Sequence, residues 1–245
     1  MAAPMIVLFT DFGLSGPYTG QVKAVFAAEV PGVPVIDLFA DAPAADPRAA
    51  AYLLAAYDDL FPDGTVFLAV VDPGVGTARL PVVLQADGRW YVGPDNGLLA
   101  LVARRATRTR VWEITWRPPR LSASFHGRDL FAPMAARLAR GEVRPGAARD
   151  ALAVPARDWP DDLPEIVYVD HFGNAITGLR ASALAAAATL AVGDRTLARA
   201  RTFGDVPPGT AFWYENSNGL AELAVAGGRA DQALGVGIGT AIRIV

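Results

Sequence analysis

Four short stretches carry most of the side chains in this sequence that could do chemistry: TDFG (10–13), DPGVGTAR (72–79), PDNG (94–97) and FHGRD (125–129). Between them they hold Asp11, Asp72, Arg79, Asp95, His126 and Asp129. His126 is one of only two histidines in 245 residues, so much turns on its role. An unperturbed imidazole titrates near ~6.5 and can move a proton at neutral pH. At the mouth of a helix it can equally be a packing residue, with Ser124 as the cap and Asp129 in the first turn. Each aspartate also has a plain reading, because Asp-Pro-Gly and Asp-Asn-Gly form turns without a ligand. Three Asp-bearing turns joined to a His-Gly-Arg-Asp helix entry shift the balance toward a site.

Several familiar chemistries are missing their signatures. DPGVG looks like a phosphate loop, but it lacks the Lys-Ser/Thr ending and the GxGxxG spacing. Asp11, Asp72, Asp95, His126 and Asp129 would suit a two-metal hydrolase, yet there is no HxH, DxD or HExxH pattern. No GxSxG elbow supports a serine nucleophile. Further along, VDHFGN places Asp170, Phe172 and Asn174 within five residues. A carboxylate, an aromatic face and an amide are a kit for holding a charged amine and a purine. His171 in the same stretch reads as a turn residue, and YENSNGLAEL (214–223) adds an Asn-Ser turn whose plain reading is a hairpin.

The elements that must position these groups follow from the apolar pattern. MIVLFT (5–10), PVIDLF (34–39) and TVFLAVV (65–71) are strand-length apolar runs. PYTGQVKAVFAAEV and DPRAAAYLLAAYDDLF (46–61) carry helix spacing, the second with an Asp cap and a Pro in its first turn. PVVLQA and RWYVG flank Asp87-Gly88, a hairpin signal. NGLLALVARRA and GRDLFAPMAARLARG complete the helical segments. The expected fold is α/β: an N-terminal domain (1–145) with a mostly parallel sheet covered by helices. A Pro/Asp/Arg-rich linker (146–164) and a small C-terminal antiparallel β domain (165–245) follow, the latter from runs such as EIVYVD, TLAVG, AFWYEN, LAELAVA and GTAIRIV. In open α/β sheets ligands bind where strands end, which is where TDFG and DPGVGTAR fall.

Composition narrows the function further. The chain is 52% hydrophobic and 19% charged with net charge −3, and Lys23 is its lone lysine. That suits a globular core and gives nucleic acid no basic stripe to bind. Cysteine is absent, which removes disulfides, thiolate catalysis and zinc–thiolate sites. No apolar run approaches the ~18–20 residues of a membrane span and the first residues lack a signal-peptide pattern, so a cytoplasmic protein is expected.

Taken in order along the chain, TDFG, DPGVG with Arg79, PDNG, FHGRD, DHFGN (170–174) and NSNGLAE (216–222) resemble the S-adenosyl-L-methionine (SAM) hydroxide adenosyltransferases, the SAM-hydrolase relatives of fluorinase and chlorinase. The resemblance implies an N-terminal α/β domain and a C-terminal barrel-like β domain in a homotrimer. Ligand would bind between the N-terminal domain of one subunit and the C-terminal domain of its neighbour. It implies hydrolysis of SAM to adenosine and methionine with no metal or other cofactor, SAM itself being the substrate. Asp72, Arg79 and His126 would be the water-activating set, with either Asp72 or His126 taking the proton. The sulfonium already makes methionine a good leaving group. The task left is to hold water in line with ribose C5′, worth up to roughly 7–11 kcal/mol in favourable systems. A positioned base adds about 10²–10⁴-fold.

Binding roles also come from the resemblance. Asp11 would take the ribose hydroxyls, Asp170 and Ser217 the methionine end, and Asn174 with Phe172 the adenine. The Gly127 N–H would help place the nucleophile, Phe203 would stack near the base, and Asn218 would complete the substrate set. Two positions depart from the family pattern. Ala-Ile-Thr177-Gly178 follows Asn174 where Thr-Asn often stands, and position 218 is Asn within NSNG. Two rival readings are a halide-using adenosyltransferase and a non-catalytic SAM- or adenosine-binding protein. The first is disfavoured because Asp72, Arg79 and His126 are all present and no extra N-terminal loop is evident. A third rival, a metal-dependent phosphohydrolase, would require a metal.

Overall fold

The computed structural model describes residues 4–142, 145–156 and 158–245. The chain divides into two compact units, Met1–Ala156 and Arg157–Val245. Residues 147–149, inside the stretch whose composition reads as a linker, belong to the sheet of the first unit.

Unit 1 is built on strands β1 (Ile6–Thr10), β2 (Val35–Phe39), β3 (Val66–Val70), β4 (Pro81–Ala86), β5 (Arg89–Pro94), β6 (Thr109–Glu113) and β7 (Ala147–Arg149), in spatial order β2-β1-β3-β5-β4-β6-β7. Four helices accompany them: α1 (Tyr18–Glu29), α2 (Pro47–Tyr57), α3 (Ala100–Arg105) and α4 (Ala132–Ala139). The β2, β1, β3 and β5 neighbours are parallel, whereas β5–β4, β4–β6 and β6–β7 are antiparallel. The sheet is therefore mixed rather than mostly parallel. The cause is local: Asp87 and Gly88 both adopt positive φ, 42° and 91°. That is the twist a two-residue hairpin needs, and such a hairpin can only join antiparallel neighbours. The short β6 and the exposed β7 escape the apolar-run criterion because neither is a continuous buried run.

Strand alternation sorts the core into two faces. Ile6, Leu8, Val66 and Leu68 pack in one cluster with Val22 and Phe26 of α1 and with Leu130, Phe131, Met134 and Leu138 of the α4 region. On the other face Phe9 meets Phe39, which meets Tyr57 of α2, and Phe67 stacks on Tyr91. Asp46 caps α2 as its sequence suggests, accepting a hydrogen bond from the Ala49 N–H at 3.0 Å. The fully buried β1 and β3 run side by side and parallel, so their C-terminal ends deliver TDFG and DPGVGTAR to one edge.

Unit 2 contains β8 (Leu163–Val169), β9 (Ala175–Arg180), β10 (Leu190–Val192), β11 (Arg195–Leu197), β12 (Ala211–Glu215), β13 (Leu220–Val225), α5 (Ala230–Leu234) and β14 (Arg243–Ile244). A four-stranded sheet β12-β13-β9-β8 and a three-stranded sheet β11-β10-β14 are bridged by Glu165–Ala241 and by Arg199–Trp213. These two bridges join both edges and give the barrel-like closure that the family resemblance implies. Trp213 fills the centre, its indole N–H donating to Ala188 O at 3.0 Å. The Thr177-Gly178 departure falls in β9, where Thr177 Oγ1 donates to Ala221 O at 2.7 Å and Gly178 pairs with Leu163. Among the described residues no helix is long and apolar enough to cross a membrane.

Candidate active site

Asp11 follows β1 directly and Asp72 lies two residues past β3, at the carboxyl ends of adjacent parallel strands. From Asp72 the chain turns tightly on itself, with Val75 N–H donating to Asp72 O and Thr77 N–H to Gly74 O. This returns Arg79 to Asp72. The Arg79 Nε lies 3.0 Å from both Asp72 carboxylate oxygens, and Nη2 also donates to Oδ2. Their side chains are only 9% and 6% exposed, so the pair is shielded from solvent screening. The guanidinium also stands over the Phe131 ring, 5.2 Å from its centroid. Gly76, at φ 79°, lets the same loop pass the 122–126 segment closely, since a Cβ there would sit 2.7 Å from Ala123 O.

His126 joins this pair. Arg79 Nη2 lies 2.9 Å from His126 Nδ1. A guanidinium has no acceptor atom, so Nδ1 must be the unprotonated nitrogen and the neutral ring carries its proton on Nε2. Burial, and then the Arg79 charge, hold the imidazole below its usual value, in keeping with a neutral ring. His126 precedes a π-helical turn, Gly127–Phe131, that leads into α4. Local widening of this kind recurs at functional sites. Neither Ser124 nor Asp129 caps this helix end: Ser124 meets Ser122, while Asp129 accepts from Ser122 N–H at 2.8 Å and from Arg128. Gly127 packs closely under two rings, because a Cβ there would approach Phe12 Cζ to 2.8 Å and Phe125 Cε2 to 3.2 Å.

Asp11 Oδ2 accepts the Ala45 N–H at 3.0 Å. Burial raises the Asp11 carboxyl above the ordinary aspartate value, and the nearby Asp72 charge adds to the rise. Asp95, in a similar turn, does something else. It is 4% exposed and accepts from the N–H groups of Ala153 (2.6 Å) and Val154 (3.1 Å). Asn96 donates to Val71 O at 2.8 Å, so PDNG braces the end of β3 rather than facing a ligand. Among the described residues no group of three or more acids and histidines could hold a metal ion.

The remaining sequence candidates lie in unit 2. Asp170 and Asn174 close a turn on each other: Asn174 N–H donates to Asp170 Oδ1 at 2.8 Å and Asn174 Nδ2 to Oδ2 at 3.3 Å. Phe172, at the tip of that turn, is 71% exposed. Phe203 packs edge-on against Phe212 and Tyr214 and keeps an exposed side. Ser217 Oγ meets Asn218 Oδ1 at 2.9 Å in the β12–β13 turn, which Asn216 Oδ1 fixes by accepting from Asn218 N–H and Leu220 N–H. Sequence reasoning passed over Tyr214, Asn216 and Glu222, which form a buried polar cluster behind this surface. The available signal was Glu222 itself, an acid in the otherwise apolar strand LAELAV.

Known proteins resemble this chain along nearly its whole length. The SAM hydroxide adenosyltransferase N-terminal domain matches residues 6–147, and the corresponding C-terminal domain matches residues 164–243. An (R)-S-adenosyl-L-methionine hydrolase from Thermus thermophilus is 42% identical over 98% of this chain and 99% of its own. A fluorinase from an Actinoplanes species is more distant, at 26% identity over 72% of each chain. The crystal structure of an uncharacterized conserved protein from Thermotoga maritima superimposes with a TM-score of 0.88 at 34% identity, covering 98% of this chain and 99% of that one.

Proposed function

The chain belongs to the SAM hydroxide adenosyltransferase family, and from that premise we propose that it hydrolyses S-adenosyl-L-methionine to adenosine and L-methionine. The observation that carries this reading is the continuous Asp72–Arg79–His126 chain at the end of β3. The relative from Thermus thermophilus is named for the (R) sulfonium, so that epimer is the proposed substrate.

In the proposed reaction a water oxygen bonds to ribose C5′ as the C5′–S bond breaks, and the bonding pair returns to sulfur. The positive sulfonium becomes a neutral thioether and needs no acid. In this reading His126 and Asp72 share the activation of water. His126 offers only Nε2–H in its neutral form, so it donates to the water oxygen and stabilises developing hydroxide. Asp72 Oδ2 takes bonds from both Nε and Nη2 of Arg79, whereas Oδ1 takes one. The spare lone pair on Oδ1 is the proton acceptor. Gly74 borders this oxygen, a Cβ there standing 3.8 Å from Oδ1 in ordinary contact.

Asp11 is proposed to bind the ribose diol and the Gly127 N–H to help place the water. Asp170, Ser217 and Asn218 are assigned to the methionine end, Asn174 and Phe172 to adenine, and Phe203 to stacking near the base. The assembly proposed is a homotrimer in which unit 1 of one copy and unit 2 of its neighbour share each substrate. No metal takes part.

The test is incubation of the pure protein with each SAM epimer in ¹⁸O water, with and without EDTA. Label in the adenosine 5′-hydroxyl, unaffected by EDTA, is the expected result. Binding without turnover would make this a SAM-binding protein. A 5′-halo product on adding halide would favour fluorinase-like chemistry, and loss of activity with EDTA would restore a metal.

A further inference from the structure

Asp129 has no part in the mechanism above, yet both of its carboxylate oxygens are committed beside His126. Oδ1 accepts from Arg128 Nε at 2.6 Å, and Oδ2 accepts from Arg128 Nη2 at 3.0 Å and from the Ser122 N–H at 2.8 Å. Adjacent residues of an α-helix do not face each other. The Arg128 fork on Asp129 is made instead within the π-helical turn Gly127–Phe131. An acid in a first helical turn can favour the helix by its charge alone, without such a fork and without a tie to Ser122 outside the helix.

The pair is anchored on a second element. Arg128 Nη1 donates to Gln21 Oε1 of α1 at 2.7 Å, and the guanidinium stands over the Phe125 ring, 5.3 Å from its centroid. Phe125 in turn meets Phe12 and Tyr18 edge-on, at 5.5 and 5.3 Å between centroids. With Nε, Nη1 and Nη2 all engaged, the planar guanidinium has one orientation. It also holds the Asp129 carboxyl below the ordinary aspartate value, so the pair stays charged at neutral pH. Asp129 then closes the segment that carries His126, since its side chain takes the Ser122 N–H and its own N–H donates to Phe125 O at 3.3 Å. The same segment abuts the Asp72–Arg79 loop, where a Cβ on Gly76 would lie 2.7 Å from Ala123 O. The 2.9 Å contact of Arg79 Nη2 with His126 Nδ1 is made from a segment held in this way.

We propose that Asp129 is a positioning residue which, through Arg128 and Gln21, fixes the His126 ring against Arg79, so that turnover rather than SAM binding depends on this anchor in α1. This rests on the reading of Asp72, Arg79 and His126 as the water-activating set. The His126 ring is tied to Arg79 by one hydrogen bond, and that bond exists only while the segment 122–126 keeps its place. A misplacement of about 1 Å, even from a change far from the chemistry, can cost on the order of 10²-fold in rate.

The experiment pairs turnover with NMR titration of the two histidines, His171 in the other unit serving as the reference. Asp129→Asn keeps the size but has one acceptor oxygen, so it cannot serve the Arg128 fork and Ser122 together. Its kcat should fall at least about tenfold while SAM affinity stays within about threefold of the wild type. Gln21→Leu removes the anchor and alters none of the charges that act on the His126 ring, which are Arg79, Asp72, Arg117 and Asp129. It should show the same split more weakly, and its His126 midpoint should rise toward ~6.5 as the ring leaves Arg79, with His171 unmoved. Gln21→Glu keeps an acceptor for Arg128 and should restore turnover. A folded Asp129→Asn with kcat within about threefold of the wild type, or with SAM affinity reduced as much as kcat, would overturn the proposal. An unmoved His126 midpoint in Gln21→Leu would overturn it too. If Asp129→Asn fails to fold, Gln21→Leu carries both readings. If the wild type turns over no SAM, the hydrolase reading fails by itself, and the His126 midpoint alone decides whether the anchor holds the ring.

Discussion

Replacing Arg79 with lysine isolates geometry from charge. Arg79 reaches Asp72 through Nε and Nη2, and the same Nη2 reaches His126 Nδ1 at 2.9 Å. Lysine keeps the positive charge but carries one ammonium at the end of its stem, so it cannot fill the Nε and Nη2 positions together. The Asp72 pairing would survive in weakened form, and the tie to His126 would be lost. With that tie gone the imidazole is free to move its proton to Nδ1, and Nε2 would turn from donor to acceptor. A hydrogen bond involving a charged group is worth about 1.5–3 kcal/mol, which corresponds to a loss of roughly 10- to 150-fold in kcat. Affinity for SAM should change by no more than about threefold, because binding is assigned to other residues and one lost uniform contact would appear in KM instead. Arg79→Ala is a poorer probe, since stranding the 6%-exposed Asp72 would cost about 3–5 kcal/mol of stability. The assay is single-turnover release of adenosine, with SAM affinity from calorimetry and folding from thermal melts. A folded Arg79→Lys protein with kcat within threefold of the wild type would refute the relay. A defect confined to SAM affinity would refute it too.

The His126 imidazole is held below its ordinary value by burial and by Arg79, so kcat should be level through neutral pH and fall only below ~6.5, where protonation removes the acceptor for Arg79. Stability follows the same sign: on acidification from ~6.5 the unfolded chain binds a proton that the folded chain still refuses, so the protein weakens as pH falls. Urea titrations at stepped pH should show this slope in the wild type and less of it in His126→Ala; equal slopes would contradict the assignment. Gly76→Ala should impair both folding and turnover, because the residue sits at φ 79° and the new Cβ would lie 2.7 Å from Ala123 O. A left-handed alanine costs about 1–2 kcal/mol before any clash is counted, so an unchanged melting temperature and kcat would show that the loop does not need its close approach to residues 122–126.

Much of the fold was legible because the features that fix it are local. The Asp46 cap, the Asp87-Gly88 hairpin and the buried runs of β1 and β3 each declare themselves within a few residues. What escaped depended on partners far along the chain. Strand β7 is three exposed residues that become a strand only because β6 offers an edge, and β9 is recognisable only once Thr177 is seen donating to Ala221. The mixed sheet is an intermediate case: the hairpin that made it antiparallel was visible, but its consequence for the whole order β2-β1-β3-β5-β4-β6-β7 was not.

The site divides along a different line, between which groups are present and which still have capacity to act. Asp72 and Asp95 are both aspartates in proline- or asparagine-containing turns just past strands, and nothing in their neighbours separates them. Their lone pairs do. Asp95 spends both oxygens on the N–H groups of Ala153 and Val154, over 50 residues away, and is a brace. Asp72 spends both oxygens on Arg79, two bonds at Oδ2 and one at Oδ1. The same bookkeeping settles what an isolated histidine can do. His126 was a proton carrier or a donor until Arg79, which can only donate, occupied Nδ1 and left Nε2–H facing outward. Unit 2 repeats the pattern with Asn216, whose two ends become unlike because the Asn218 and Leu220 N–H groups hold Oδ1 and leave Nδ2 to donate to Glu222. In each case the residue type sets the options, and long-range saturation of the other atoms selects among them. Sequence motifs therefore mark where polar groups gather, while what each group can do follows from which hydrogen-bonding atoms the fold leaves unspent.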